Sequence, residues 1–396
     1  MTTPAQPEAG STGPLSGVRV IDMSTVVMGP YAAQILGDLG ADVVRIESPR
    51  DTARNGTLHR TPGMTPLYMN VNRNKRSVNL DLKDEADHQH ALGLIGTADI
   101  LITNMRIGAL RRLGMDHDSL AESHPQLIYA HAQGFRPDSD RADLAAYDET
   151  VQAASGLIDV AQRAADIGAP VVLPSIFADK VSALTITYSV LAALVHQRAT
   201  GRGQLVEVPM ADTLLAFNLV EHLQGATFEP PMGPTGFAPS MNAGHRARPT
   251  ADGLAMIIPY TPQNFRDLFT AAGRPDLAAD PRVNGEVINS SQDGADLAHL
   301  VESITPNKTT AEWIQICTEH SIPVGPVLEL DTADQDHYVR EGHLLDRAEH
   351  PTEGDYRLIG VPVNFSGTPG SVRRHAPRPG QHTAELLAEL EQEGTR

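Results

Sequence analysis

A chain of 396 residues, 41% of them hydrophobic, is long enough for two domains with their own cores. Its formal net charge of −18 opposes non-specific binding to nucleic acid, so a polyanionic ligand needs a local basic patch. A single cysteine, Cys317, excludes an internal disulfide framework and a cysteine-based metal site, and makes a reducing, cytoplasmic setting the expectation.

Residues 1–14 lack the basic and apolar regions of a signal peptide and read as a disordered tail. No uncharged apolar run reaches the roughly 18 residues that a spanning helix needs, so no membrane span is expected. Val18 to Ile21 reads as a strand, and Asp22-Met23-Ser24 leads into a loop, Thr25 to Pro30, that contains Val27 and Met28. A helix from Tyr31 to Leu39, a stop at Gly40 and a second strand from Asp42 to Ile46 complete a βαβ unit. That unit implies a parallel sheet with right-handed crossovers. The loop carries one glycine and lacks GxGxxG, which disfavours a strict dinucleotide fold.

From Met69 the chain reads MNVNRNKRSVNLDLK and places Arg73, Lys75, Arg76 and Lys83 within eleven residues. Such a cluster is either a solvated face or a set of phosphate donors. Glu85 to Gly96 follows as a helix and Ile100 to Thr103 as a strand ended by Asn104-Met105-Arg106. Ligands bind at such strand ends in open α/β sheets, which makes Asn104 and Met105 candidate contacts. Arg112, late in a short helix, would on its own merely complement the helix terminus. Leu127 to His131 is a further strand, and a polar loop leads to Tyr147, Asp148 and a helix.

The chemistry is expected between Pro174 and Met210. Small and apolar residues recur at helical spacing from Val181 to Leu194, with Asp179 in the first turn. A carboxylate there accepts backbone N–H bonds and faces the positive end of the helix dipole; capping is the ordinary use of such a residue. The turn from Arg198 to Gln204, a strand from Leu205 to Val208 and a helix from Asp212 to Val220 follow. Residues 226–252 read as a linker or active-site loop that holds Asn242-Ala243-Gly244, His245, Arg246 and Arg248. A strand from Leu254 to Tyr260 and helices at Asn264–Ala272, Gly294–Ile304 and Thr310–His320 form a small domain over 253–329, the last helix capped by Thr309 or Thr310 with Trp313 and Ile316 on its apolar face. Residues 330–396 then return to a large domain of 15–225. Neither metal-ligand spacing among the sixteen histidines nor a GxSxG elbow appears.

These stretches resemble the class III CoA-transferases, the family of formyl-CoA transferase, carnitine and bile-acid CoA-transferases and α-methylacyl-CoA racemase. The likeness is carried by residues 14–24, 37–44, 72–83 (NRNKRSVNLDLK), 98–114, 147–156, Asp179 with Thr200-Gly201-Arg202-Gly203-Gln204 and Met210-Ala211-Asp212, 321–327 and 376–387. It implies an α/β fold: a large Rossmann-like domain whose parallel sheet is built from N- and C-terminal parts, a smaller α+β domain, and an interlocked homodimer. It also implies that Asp179 is the catalytic carboxylate. Coenzyme A would be met by Val27, Met28, Leu80, Asp81, Leu82, Lys83, Asn104, Met105, Arg106, Arg112, Tyr147 and Asp148, with Arg73, Lys75 and Arg76 offered to its phosphates. The substrates would be an acyl-CoA donor and a carboxylic acid acceptor, with no permanently bound cofactor, no metal, no nucleic acid and no membrane.

The racemase branch carries a histidine where this chain has Tyr147, and a phenol of pKa about 10 suits proton transfer at an α-carbon poorly. Acyl transfer is therefore favoured, with a racemase using Asp179 as acid and base, or a CoA-binding protein without turnover, as the alternatives. Three departures stand out: Asn242-Ala243-Gly244 in place of a glycine run, Ala178 in place of glycine before the aspartate, and Lys180 directly after it.

Overall fold

The computed structural model describes residues 13–50, 56–165, 171–241 and 246–394. The chain divides into two compact units: the first takes Met1–Ala154, Ser175–Leu214 and His337–Arg396, the second Ser155–Pro174 and Leu215–Asp336.

The first unit is organised on six strands: β1 Arg19–Met23, β2 Asp42–Glu47, β3 Lys75–Asn79, β4 Ile100–Thr103, β5 Ile128–Gln133 and β6 Leu205–Pro209. All neighbours pair in parallel, in the order β3-β2-β1-β4-β5-β6. The strand order therefore reverses between β1 and β4, and that switch point is where an open α/β sheet forms a crevice. The near-continuous apolar runs of β1, β2, β4 and β5 are buried, as both faces of a parallel sheet must be. One face packs Ile21, Val44, Val78, Leu101 and Tyr129 against Leu94 and Ile95 of the helix Glu85–Gly96 and Leu386 of the helix Thr383–Gly394.

Two expectations need correction. Residues 75–79, taken as part of a basic surface, form β3 and sit at the edge of the sheet. Among the described residues, the parallel sheet also takes no strand from the C-terminal part. That part contributes an antiparallel hairpin, Leu345–His350 with Gly354–Ile359, and the helix Thr383–Gly394, which packs on β3 and on the helix Glu85–Gly96.

The helix Phe177–Thr200 spans 24 residues and packs on the helix Met28–Asp38 and on β5 and β6. Its buried residues Ala178, Ser182, Ala183, Ile186, Thr187, Val190, Ala193, Leu194 and Gln197 recur every three or four positions, the spacing of one helical face. Gly201, at a φ of 74°, stops it in the left-handed conformation that glycine adopts without penalty. By length and composition this helix could cross a membrane, but its inner face is spent on the first unit's core.

The second unit pairs three short antiparallel strands, Arg248–Pro249, Leu254–Ile257 and Val324–Pro326. Helices Pro262–Ala271, Ser290–Ile304 and Thr310–Glu319 close on them around the fully buried Trp313, with Phe265, Leu268 and Phe269. Thr309 caps the last helix in a reciprocal capping box with Glu312, and the Trp313 indole N–H is spent on the Thr305 carbonyl at 2.8 Å.

Candidate active site

Asp179 lies in the first turn of the long helix Phe177–Thr200. Its Oδ1 accepts the backbone N–H of Met28 at 3.1 Å, and Met28 is the first residue of the helix Met28–Asp38. The starts of two helices thus meet at one carboxylate, which each dipole favours in its charged form. Among the described residues no hydrogen bond is made to Oδ2, and the side chain is neither fully buried nor fully exposed.

A second carboxylate supports the first. Asp148, buried at the start of the helix Asp148–Ala154, accepts the backbone N–H of Asp179 on Oδ2 at 3.1 Å. Its Oδ1 takes a hydrogen bond from Gln152 Nε2 at 2.5 Å, and the same amide reaches the Ser175 carbonyl at 3.3 Å. Burial, and then the nearby Asp148 charge, push the Asp179 carboxyl up to about 6, against the pull of the Met28 N–H. Asp179 is therefore ionised at neutral pH while held in a site that disfavours its charge. Lys180 turns away, with Nζ on Ser175 Oγ at 2.7 Å.

The loop that delivers Met28 follows β1. Thr25 donates its N–H to Asn104 Oδ1 at 2.9 Å, and Asn104 Nδ2 returns a bond to the Thr25 carbonyl at 3.0 Å, so the loops after β1 and β4 are clasped across the switch point. Between the clasp and Met28, Val26 is held at a φ of 67°, a conformation that a β-branched residue rarely adopts. Gly29 has no Cβ because the Ser24 side chain occupies that space.

The residues expected to meet coenzyme A divide into three groups. Met28 and Asp148 each bond the catalytic candidate Asp179, Asn104 clasps Thr25 in the loop that leads to Met28, and Val27 is the buried residue before the Met28 helix. Asp81, Leu82 and Lys83 follow β3, and Met105 and Arg106 follow β4, all at the carboxyl edge of the sheet; Arg112 is exposed in the helix Ile107–Arg112 and Tyr147 is 70% exposed.

The third group is corrected. Arg73 makes a bidentate pair with Asp38 (3.0 and 2.7 Å) and donates to the Ile359 carbonyl at 2.6 Å. Arg76 is likewise bidentate to Asp42 (3.1 and 2.7 Å) and reaches Glu385 and Glu389 at 2.9 and 2.6 Å. Lys75 is wholly buried, with Nζ on Asp22 Oδ2 at 2.8 Å, the Pro30 carbonyl at 2.7 Å and Asn72 Oδ1 at 2.9 Å. These three cations are internal struts with acidic partners 34 to 313 positions away, which a local reading of charge does not reveal. Leu80 is a core residue, 1% exposed.

Other candidates also resolve. Arg246 pairs with Glu302 at 2.5 Å, and Arg248 is buried with Nη1 on the Ile257 carbonyl at 2.9 Å. Asn242-Ala243-Gly244 and His245 lie outside the described residues. His382 Nδ1 accepts the Ser77 N–H at 3.1 Å, a packing role. Among the described residues no cluster of three or more His, Cys, Asp or Glu is placed to hold a metal. Gln152 belongs to the 147–156 stretch that carries the family likeness but has no role from sequence alone, and Ser175 gives no sequence signal; the four-residue spacing of Asp148 and Gln152 on one helix face is the clue to the first.

The site thus sets a carboxylate oxygen with no hydrogen bond from any described residue beside the loop that follows β1, at the switch point of a parallel sheet. The sequence pattern described as CoA-transferase family III matches residues 15–383, and the chain belongs to that family. Members take CoA thioesters as substrates. The chain is 32% identical to a Mycobacterium tuberculosis protein named "Probable fatty acyl-CoA transferase", over 96% of this chain and 99% of that one. The crystal structure of that mycobacterial protein superposes with a TM-score of 0.80 at 28% identity, covering 96% of this chain and 100% of the other. Succinate–glutarate CoA-transferase of Agrobacterium fabrum is 31% identical over 96% of each chain, and formyl-CoA:oxalate CoA-transferase of Escherichia coli 30% over 95% of each.

Proposed function

We propose that the protein moves coenzyme A from an acyl-CoA to a carboxylic acid, with Asp179 as the nucleophile. The observation that carries this reading is the partly buried Asp179 carboxylate, ionised at neutral pH, with Oδ1 on the Met28 N–H and no hydrogen bond on Oδ2 from any described residue. Oδ2 attacks the donor thioester carbonyl, the C–S bond breaks, and CoA leaves as its thiolate with a mixed anhydride on Asp179. The thiolate then attacks the aspartyl carbonyl, which releases the donor acid and leaves an aspartyl thioester. The acceptor carboxylate attacks that thioester, expels the thiolate and forms a second anhydride; thiolate attack on its acceptor carbonyl gives the new acyl-CoA and restores Asp179.

Transferring the thioester between acids is close to isoenergetic, so no external energy source is needed. The Met28 N–H, already on Oδ1, is the donor that meets the oxyanion formed each time the aspartyl carbonyl is attacked. The backbone N–H of Asp179 itself is spent on Asp148. Exposed Tyr147 supports transfer over racemisation, because an imidazole partner is missing at that position. Succinate, glutarate, oxalate and fatty acids are the acceptors to try first, by likeness to the relatives.

Mixing each acid with formyl-, succinyl- and long-chain acyl-CoA should give thioester exchange with at least one pair. Asp179→Ala should lower exchange by roughly a thousandfold or more while CoA binding persists. Retained exchange in that variant, or solvent deuterium entering the α-carbon without exchange, would sink the assignment. The reading includes a cytoplasmic homodimer.

A further inference from the structure

Lys75 and Asp22 are both fully buried, and neither bonds Asp179 directly. Each of the three ammonium protons of Lys75 has one acceptor: Asp22 at the end of β1, the Pro30 carbonyl two residues beyond Met28, and Asn72. Asp22 Oδ2 also takes Arg45 Nη1 at 3.0 Å, and its Oδ1 accepts both the N–H (3.0 Å) and the hydroxyl of Ser24. The turn from Ser24 to Pro30 is therefore tied at its first residue to the carboxylate and at its last to the ammonium, with Val26 held at positive φ between them. Replacing a buried ion pair by apolar groups is often neutral or stabilising, so stability alone is a weak reason to keep one.

We propose that Lys75 and Asp22 are positioning residues for Asp179: together they fix the Ser24–Pro30 turn so that the Met28 N–H stays on the Asp179 carboxylate. The proposal rests on the reading of Asp179 as the reacting group, but its first test does not. The charged groups around the pair are Arg45 and Glu47 on β2; those that act on Asp179 are Asp148 and Glu149. Loss of the Met28 bond removes a contact that favours the ionised form, so the Asp179 midpoint rises.

Carboxyl-carbon NMR titration of protein labelled at aspartate, with the Asp179 signal identified by its loss in Asp179→Asn, reads that midpoint directly. Lys75→Met and Asp22→Asn should both raise it, by about half to one pH unit, the worth of one backbone hydrogen bond. A pure field effect predicts opposite signs, since removing the negative charge of Asp22 would lower the midpoint. Ser24→Ala carries no charge change, should raise it in the same direction by less, and keeps the test available if the buried-charge variants do not fold. In the exchange assay the same variants should lose kcat at pH 6–7 with KM little changed. A midpoint that falls or stays fixed in Asp22→Asn, or one that Ser24→Ala leaves in place, overturns the proposal and leaves the transferase reading standing. A wild type that titrates near pH 6 yet exchanges no pair would sink the transferase reading instead.

Discussion

Asp179, the nucleophile we propose, is held at the expense of the fold. Its carboxyl is raised from 3.8 to about 6 by burial and by Asp148, so the folded state binds its proton more readily than the unfolded chain does. The sign follows: the charged side chain destabilises the folded protein above pH 6, and this cost fades as pH drops from 6 towards 4. Asp179→Asn is therefore expected to stabilise the protein at pH 7.5 by roughly 2 kcal/mol and to give little gain at pH 4.5, measured by urea unfolding at both values. An unchanged or lower stability at pH 7.5 would show that the site does not strain the carboxylate. Its place at the head of an apolar helix was legible in the sequence, which by itself reads as a cap; the role assigned to it came only from family likeness. Its clasp with Met28 was not legible, because 151 positions separate the two.

At the scale of elements, sequence periodicity located most helices and strands to within a few residues. The helix Glu85–Gly96 and the strand Ile100–Thr103 have their expected bounds. The first helix begins at Met28 rather than Tyr31, since Pro30 falls in the first turn, where a missing N–H costs nothing. The strand β3 went unread because its residues Lys75 and Arg76 look like surface charge, and only long-range partners turn them inward. This correction is testable at the neighbouring cation. Arg73→Met leaves Asp38 buried without its guanidinium and should cost roughly 3 kcal/mol in unfolding, with affinity for coenzyme A unchanged in calorimetry. A tenfold loss of that affinity in a folded variant would return Arg73 to the phosphate-binding set.

For the whole molecule, the outer face of the long helix is the feature that composition did not announce. Leu184, Tyr188 and Val195 are 54%, 63% and 72% exposed and fall four and seven residues apart, the spacing of a stripe that packs on another helix. In the homodimer proposed above, a second copy of the chain would be its cover. Tyr188→Glu is expected to shift the protein from dimer to monomer in sedimentation at micromolar concentration, whereas a wild type that sediments as a monomer would remove the homodimer from the reading. An interlocked arrangement is an implication of family likeness alone, and no residue pattern in the chain carries it.

The first unit is assembled from both ends of the polypeptide. Leu386 fills the core under β3, while Glu385 and Glu389 neutralise Arg76 on it. The core beneath β3 is therefore completed only when the residues around Leu386 have been made, about three hundred positions after the strand they cover. Truncation before Thr383 would thus leave Arg76 without two of its acidic partners and open the core at Leu386, far from the candidate site in sequence but within the same folded unit.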